Sequence, residues 1–265
     1  MRITGRILKM KSQLAMQLIY YLPMEDKLIP MNELIGKTIS LKYENEIYCI
    51  SCGTLTKRSF AQGFCYKCFI SSAETSECIL RPELCRAQEG KGRDMEWEKK
   101  HHLQEHFVYL ALSSDLKVGV TRSTQVPTRW IDQGASSAIC LAKTPNRFLS
   151  GCIEVALKKH LTDKTNWQKM LKNEVKQGMN LSEAKMKVKE FLPEELKQYY
   201  IKEDLMTEIN YPVISFPKKV KSIDFEKQNI LTGKLNGIKG QYLIFEDGSV
   251  LNIRKHSGYV VSIEY

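Results

Sequence analysis

The chain has 265 residues, 43% of them hydrophobic and 26% charged, with a formal net charge of +10. That length allows one large or two small domains, and no run reaches the roughly 18–20 uncharged apolar residues of a spanning helix, so no membrane partner is expected. The basic balance excludes an acidic binding protein; spread along the whole chain instead of gathered in a tail, it reads as solvated surface or as contact with a polyanion.

Residues 1–48 read as an N-terminal β segment, with strands at Arg6–Met10, Leu14–Tyr21, Thr38–Lys42 and Glu46–Cys49. The early basic residues Arg2, Arg6, Lys9 and Lys11 are not followed by a secretory signal. Gln13 and Gln17 interrupt the apolar stretch, and no small-residue cleavage site comes after it. A cytoplasmic location is therefore expected, where eight cysteines point to metal and not to disulfides.

Residues 49–100 read as a zinc-binding module. Cys49-Ile-Ser-Cys52 is followed after twelve residues by Cys65-Tyr-Lys-Cys68, the spacing of a zinc ribbon. Two residues between thiolates form a tight turn that aims both sulfurs at one ion, and Gly53 and Gly63 supply unusual backbone angles. Four thiolates close the shell, so such a zinc is structural; a redox pair or four unrelated thiols is the alternative. Cys78 and Cys85 open a tentative second metal site, closed by two of His101, His102 and His106. The alternative is two buried thiols and exposed histidines. Cys140 and Cys152 sit in apolar surroundings as small core residues.

Residues 101–178 read as a mixed unit. His106–Leu112 and Leu116–Thr121 are strands joined by Ser113-Ser114-Asp115. Pairing Leu112 with Leu116 sets Tyr109 opposite Gly119 and Ala111 opposite Lys117. Leu110, Leu112, Leu116, Val118 and Val120 then face the core. Tyr109, Lys117, Gly119 and Thr121 share the other face, which is either a phosphate site or a solvated surface. A short helix ending at Gly134 carries Arg129 and Gln133 on one side and turns Trp130 inward. Ser137–Lys143 makes a third strand, and the helix Cys152–Leu161 carries Glu154 beside its apolar stripe. A helix opened by Asp163–Trp167 buries Trp167, Met170 and Leu171. Residues 179–227 read as a helical segment divided by Pro193, then a linker. Residues 228–265 form a C-terminal β segment turned at Asn236-Gly237 and Asp247-Gly248, expected to pair with the N-terminal one. The fold class is α+β.

The order Val108-Tyr109-Leu110, hairpin, Lys117-Val118-Gly119, Arg129 on a helix, strand and Glu154 on a helix resembles the GIY-YIG nuclease superfamily over residues 106–170. Lys117 stands where the usual motif has its second tyrosine. The resemblance implies phosphodiester hydrolysis. Glu154 would hold a divalent ion, Mg or Mn. Arg129 would clamp phosphate oxygens and Tyr109 would position or deprotonate water. Lys117 would add charge or act as base, and Asn166 would orient substrate. The zinc module would then grip nucleic acid, DNA or RNA, through Lys57, Arg58, Tyr66 and Lys67. A non-catalytic nucleic-acid-binding or adaptor protein on the same fold is the rival reading. Gln62–Cys65, Pro82–Cys85, Lys117–Arg122, Thr128–Ala135 and Asp163–Trp167 together resemble an uncharacterised bacterial zinc-ribbon family. Its members often carry further cysteines near positions 92 and 101, here Gly92 and His101, which implies that a second zinc site is lost or rebuilt in this chain.

Overall fold

A computed structural model describes residues 1–161, 165–175 and 178–265. The strands are, in chain order, β1 (Arg2–Arg6), β2 (Lys11–Gln13), β3 (Ile19–Met24), β4 (Lys27–Pro30), β5 (Thr38–Ile47), β6 (His106–Leu112), β7 (Leu116–Arg122), β8 (Ser137–Thr144), β9 (Met206–Glu208), β10 (Lys221–Ile223), β11 (Ile230–Lys239), β12 (Tyr242–Phe245), β13 (Ser249–Asn252) and β14 (Tyr259–Glu264). The α-helices are α1 (Tyr66–Ser71), α2 (Met95–His102), α3 (Thr128–Asp132), α4 (Arg147–Lys158), α5 (Trp167–Leu171) and α6 (Leu181–Lys189). The fold is mixed α+β, and among the described residues no helix is long and apolar enough to cross a membrane. Residues 1–70 and 210–265 form one compact unit and residues 71–209 another. The segments 1–48 and 228–265 thus lie in one unit, while 49–100 is divided between the two.

In the first unit, a seven-stranded sheet runs β1-β14-β5-β11-β12-β13-β10, and β2-β3-β4 form a smaller sheet. β1 pairs with β14 from Arg2 opposite Glu264 to Arg6 opposite Val260, so the two ends of the sequence build one sheet. The strand boundaries differ from the alternation pattern. Leu14–Tyr21 is not one strand: the chain doubles back, pairing Lys11 with Tyr21, and Met16 at the tip is 95% exposed. Thr38–Lys42 and the first half of Glu46–Cys49 instead belong to one long strand, β5, which ends at Ile47 and absorbs Asn45 in a left-handed conformation. Asn236-Gly237 is not a turn. It lies in β11 at an irregularity, where Gly237 bridges Val213. A Cβ at Gly237 would stand 2.6 Å from Val213 Cα, so close backbone approach, and not turn geometry, requires this glycine. The turns fall at Gly240 and Gly248, both with positive φ.

The second unit holds a four-stranded antiparallel sheet in the order β7-β6-β8-β9. The fourth strand, β9, falls where the sequence reads as helical; beyond Pro193 the chain makes only a 3-10 turn before pairing Met206 with Ile139. Leu110, Leu112, Leu116 and Val118 pack against Ile153 and Leu157 of α4 and Leu181 and Val188 of α6. Trp167 is half-buried, while Met170 and Leu171 are buried. Asp163 and Lys164 lie outside the described residues.

α4 begins five residues earlier than its apolar stripe implies. Asn146 caps it, its Oδ1 accepting the Leu149 N–H at 3.0 Å, and Ser150-Gly151 runs inside the helix instead of before it. Gly151 is there for packing: a Cβ would stand 2.2 Å from Glu83 N and 2.4 Å from Pro82 C. These are backbone atoms of a tight 3-10 turn and cannot rotate away. Gly to Ala within a helix ordinarily stabilises by about 0.5–1 kcal/mol. Gly151→Ala should instead destabilise the 71–209 unit by about 1–3 kcal/mol, the usual cost of overpacking, in chemical denaturation. A gain in stability would refute this contact.

Candidate functional site

β6 and β7 pair with Leu112 opposite Leu116, Ala111 opposite Lys117 and Tyr109 opposite Gly119. The short connection fixes this register, and it places Tyr109, Lys117 and Gly119 on the face opposite the apolar core. Tyr109 lies across Gly119: a Cβ there would stand 2.5 Å from the phenol oxygen. The glycine is the space that the tyrosine fills. α3 supplies what surrounds the phenol. Trp130 meets its ring edge-on, with centroids 5.9 Å apart, and Gln133 Oε1 accepts the phenol proton at 2.8 Å. Arg129, one helical turn before Gln133, projects to the same group. Burial pushes the Tyr109 pKa up, the Arg129 charge opposes that, and Glu154 adds to the rise. Arg129 from α3 and Glu154 from α4 therefore both lie within electrostatic reach of the Tyr109 phenol on β6.

This face is not a solvated surface. Tyr109 is fully buried, and Lys117 and Glu154 are 3% and 8% exposed. Lys117 Nζ donates to Thr165 Oγ1 at 2.9 Å, and the Ser113 hydroxyl lies 3.2 Å from the same oxygen. Glu154 pairs with Lys158 one turn along α4 at 3.3 Å. Asn166 caps α5, its Oδ1 accepting the Lys169 N–H at 3.1 Å. Gln133 and Thr165 are polar partners that motif spacing does not single out. Gln133 was legible only as the i+4 neighbour of Arg129.

Cys49, Cys52, Cys65 and Cys68 place their sulfurs within 4.8 Å of one another, so this group could hold a metal ion. The first C-x2-C pair sits on a tight loop, and the second runs from the end of a short hairpin into the first turn of α1. Gly53, in a left-handed conformation, donates to Cys49 O, and Ile50 N donates to Gly63 O, both at 2.9 Å. The short bridges Tyr48–Leu55 and Phe60–Phe64 complete two small hairpins compatible with a zinc ribbon. Cys52 Sγ is 3.8 Å from Cys65 Sγ, and a tetrahedron with Zn–S bonds of roughly 2.3 Å has edges of about 3.8 Å. The Thr54 hydroxyl, 3.3 Å away, holds the Cys52 thiol down at about 6. Lys57, Arg58, Tyr66 and Lys67 are all exposed. Tyr66 packs edge-on against Phe60, which stacks on Phe69.

Cys78 and Cys85 converge with Glu98 and His102 in a second group. Of the three histidines considered, only His102 joins it. His101 stacks on Trp97 with centroids 4.1 Å apart. His106 places Nδ1 2.8 Å from Gln104 O, and burial lowers its pKa to about 4. Glu98 was missed. Its signal was the i, i+4 spacing to His102, which puts both on one side of α2. Cys140 and Cys152 are half-buried, and burial raises the pKa of both.

A family model described as Protein of unknown function (DUF2797) matches residues 36–261, and the chain belongs to that family. No curated protein and no solved structure matches the chain.

Proposed function

We propose that this family member is a metal-dependent nuclease of the GIY-YIG kind, hydrolysing nucleic-acid phosphodiesters, with a structural zinc in the four-cysteine group. The observation that carries the reading is the convergence of Tyr109, Arg129 and Glu154 from three separate elements, with Gly119 making room for the tyrosine. In this reading the Arg129 fork holds two non-bridging phosphate oxygens. Tyr109 keeps its proton, because burial raises its pKa, and gives it to Gln133, so its phenol oxygen orients the attacking water as a hydrogen-bond acceptor instead of deprotonating it. Lys117, held by Thr165, supplies positive charge beneath the phosphate. Glu154 offers the hard carboxylate oxygen that suits a divalent ion which keeps most of its waters. Such an ion, Mg or Mn, stabilises charge on the phosphate and leaving oxygen. The exposed Lys57, Arg58, Tyr66 and Lys67 grip the nucleic acid by charge and stacking.

A second reading has one observation in its favour. Complete burial of Tyr109 and near-complete burial of Lys117 suit a nucleic-acid-binding protein that keeps the fold without the reaction. The test is a panel of single- and double-stranded DNA and RNA incubated with the full chain and Mg²⁺ or Mn²⁺. Cleavage of at least one class is expected. Arg129→Lys should lose on the order of 10²–10³-fold, since a point charge cannot replace the bidentate fork. Binding to the panel without cleavage of any member selects the second reading.

A further inference from the structure

We propose that Cys78, Cys85, Glu98 and His102 hold a second zinc ion, separate from the four-cysteine group. All four side chains are buried, and their donor atoms lie within 4.8 Å of one another. His102 Nδ1 is 3.6 Å from Cys85 Sγ and 3.9 Å from Cys78 Sγ. A tetrahedral ion with Zn–N and Zn–S bonds of roughly 2.0–2.3 Å sets such edges at about 3.3–3.8 Å. Two thiolates, an imidazole and a carboxylate form a donor set that zinc takes, and four protein ligands close the shell against substrate. The two cysteines are not joined to each other.

Independently of the cysteines, Glu98 points to a cation. Its side chain is 3% exposed, and Oε2 lies against His102 Nδ1 yet has no hydrogen-bond partner among the described residues. A buried carboxylate oxygen set against an imidazole nitrogen without a hydrogen bond presents two ligand atoms at one point, an arrangement that a divalent ion satisfies. The fold makes room for it deliberately: a Cβ at Gly92 would stand 2.5 Å from Glu98 Cγ.

The surroundings explain why a metal belongs here. Three 3-10 turns, Glu77–Ile79, Pro82–Leu84 and Ala87–Glu89, follow one another with little apolar material to hold them. Their buried cluster is Cys78, Cys85 and Ala87, with Phe148 packed against it. So small a core needs a staple. The same turns seat α4: Arg147 donates to Cys78 O at 2.9 Å and Ile79 O at 2.8 Å, and Gly151 lies on Pro82 and Glu83. The ion would thus fix the platform from which α4 presents Glu154, although the assignment does not depend on what Glu154 does.

The test is zinc content by mass spectrometry together with X-ray absorption at the zinc edge, on full-length protein purified without chelator. The wild type should hold two zinc ions, with an average shell of three sulfurs and one nitrogen or oxygen. Cys78→Ser/Cys85→Ser should keep one ion with an all-sulfur shell. Cys49→Ser/Cys52→Ser should keep one ion with two sulfurs, so the two sites fail or survive separately. Glu98→Gln preserves shape and should weaken the second ion by more than the roughly 10–100-fold that loss of an outer-shell partner costs, measured by chelator competition. The proposal is overturned by a single, all-sulfur zinc in the wild type, a reading that needs no variant to fold. It is equally overturned if Cys78→Ser/Cys85→Ser retains both ions, or if Glu98→Gln holds zinc as tightly as the wild type.

Discussion

Glu154→Gln should reduce cleavage by on the order of 10³-fold while leaving the protein folded and able to bind nucleic acid. The two halves of that expectation rest on different physics. In the proposed reaction Glu154 is the carboxylate whose charge reaches Tyr109, and a neutral amide would not hold a divalent ion there. Structurally, glutamine fills the same volume on α4 and keeps a carbonyl oxygen there, while the ion pair to Lys158 at 3.3 Å is lost. Lys158 keeps part of its side chain in water, 28% exposed, so the substitution does not strand a fully buried charge and the protein should stay folded. Apolar packing of α4 is carried by Ile153 and Leu157, which the substitution does not touch. The measurement is single-turnover cleavage of the best substrate beside a gel-shift titration of the same molecule. Equal cleavage by wild type and variant removes the nuclease reading. Lost binding together with lost cleavage would mean that Glu154 supports the fold or the grip and not the chemistry.

How much of this was legible in the sequence depended on how local each feature is. The β6–β7 register follows from a three-residue connection and strict alternation, so the placement of Tyr109 opposite Gly119 could be read before any coordinates. The four-cysteine group is equally local, since its two C-x2-C pairs lie in one short stretch. Glu98 was illegible for the opposite reason. Beyond His102 on its own helix, its partners Cys78 and Cys85 come from turns more than ten residues away, and a lone glutamate among Glu96, Lys99 and Lys100 looks like a solvated face. Gly151 shows a different failure. A glycine after serine reads as a loop, but here it is a packing contact between a helix and the backbone of residues 82–83. Lys117 lies on the face that alternation gives it, yet nothing in the pattern said that Thr165, in the segment leading into α5, would take the lysine as its partner. Alternation reports which side of a sheet a residue occupies. It does not report what is laid over that side.

The largest stability effect should come from the four-cysteine group. Cys65→Ser is expected to unfold residues 49–70 while the seven-stranded sheet of the same unit persists. Serine matches cysteine closely in size, so little cavity cost arises, and what is lost is a metal ligand. In small zinc modules metal binding is folding free energy, on the order of 10 kcal/mol, because no site exists in the unfolded chain. Within this stretch the apolar support is slight: Phe64 is buried, but Tyr66 and Ile70 are more than half exposed. By contrast the sheet keeps a core of its own, including Leu41, Leu243, Val261 and Ile263, all at most 1% exposed. The loss should therefore be local. Amide exchange and limited proteolysis should show residues 50–68 opened in Cys65→Ser and in chelator-treated wild type. Chelator should add nothing further there in the variant, because the same ligand shell has already been broken. Cys140→Ser, which removes a half-buried thiol outside both ligand groups, serves as the control and should leave this stretch protected. Full protection of residues 50–68 in Cys65→Ser would mean that the two hairpins stand without metal. The four cysteines would then be a thiol cluster and not a structural site.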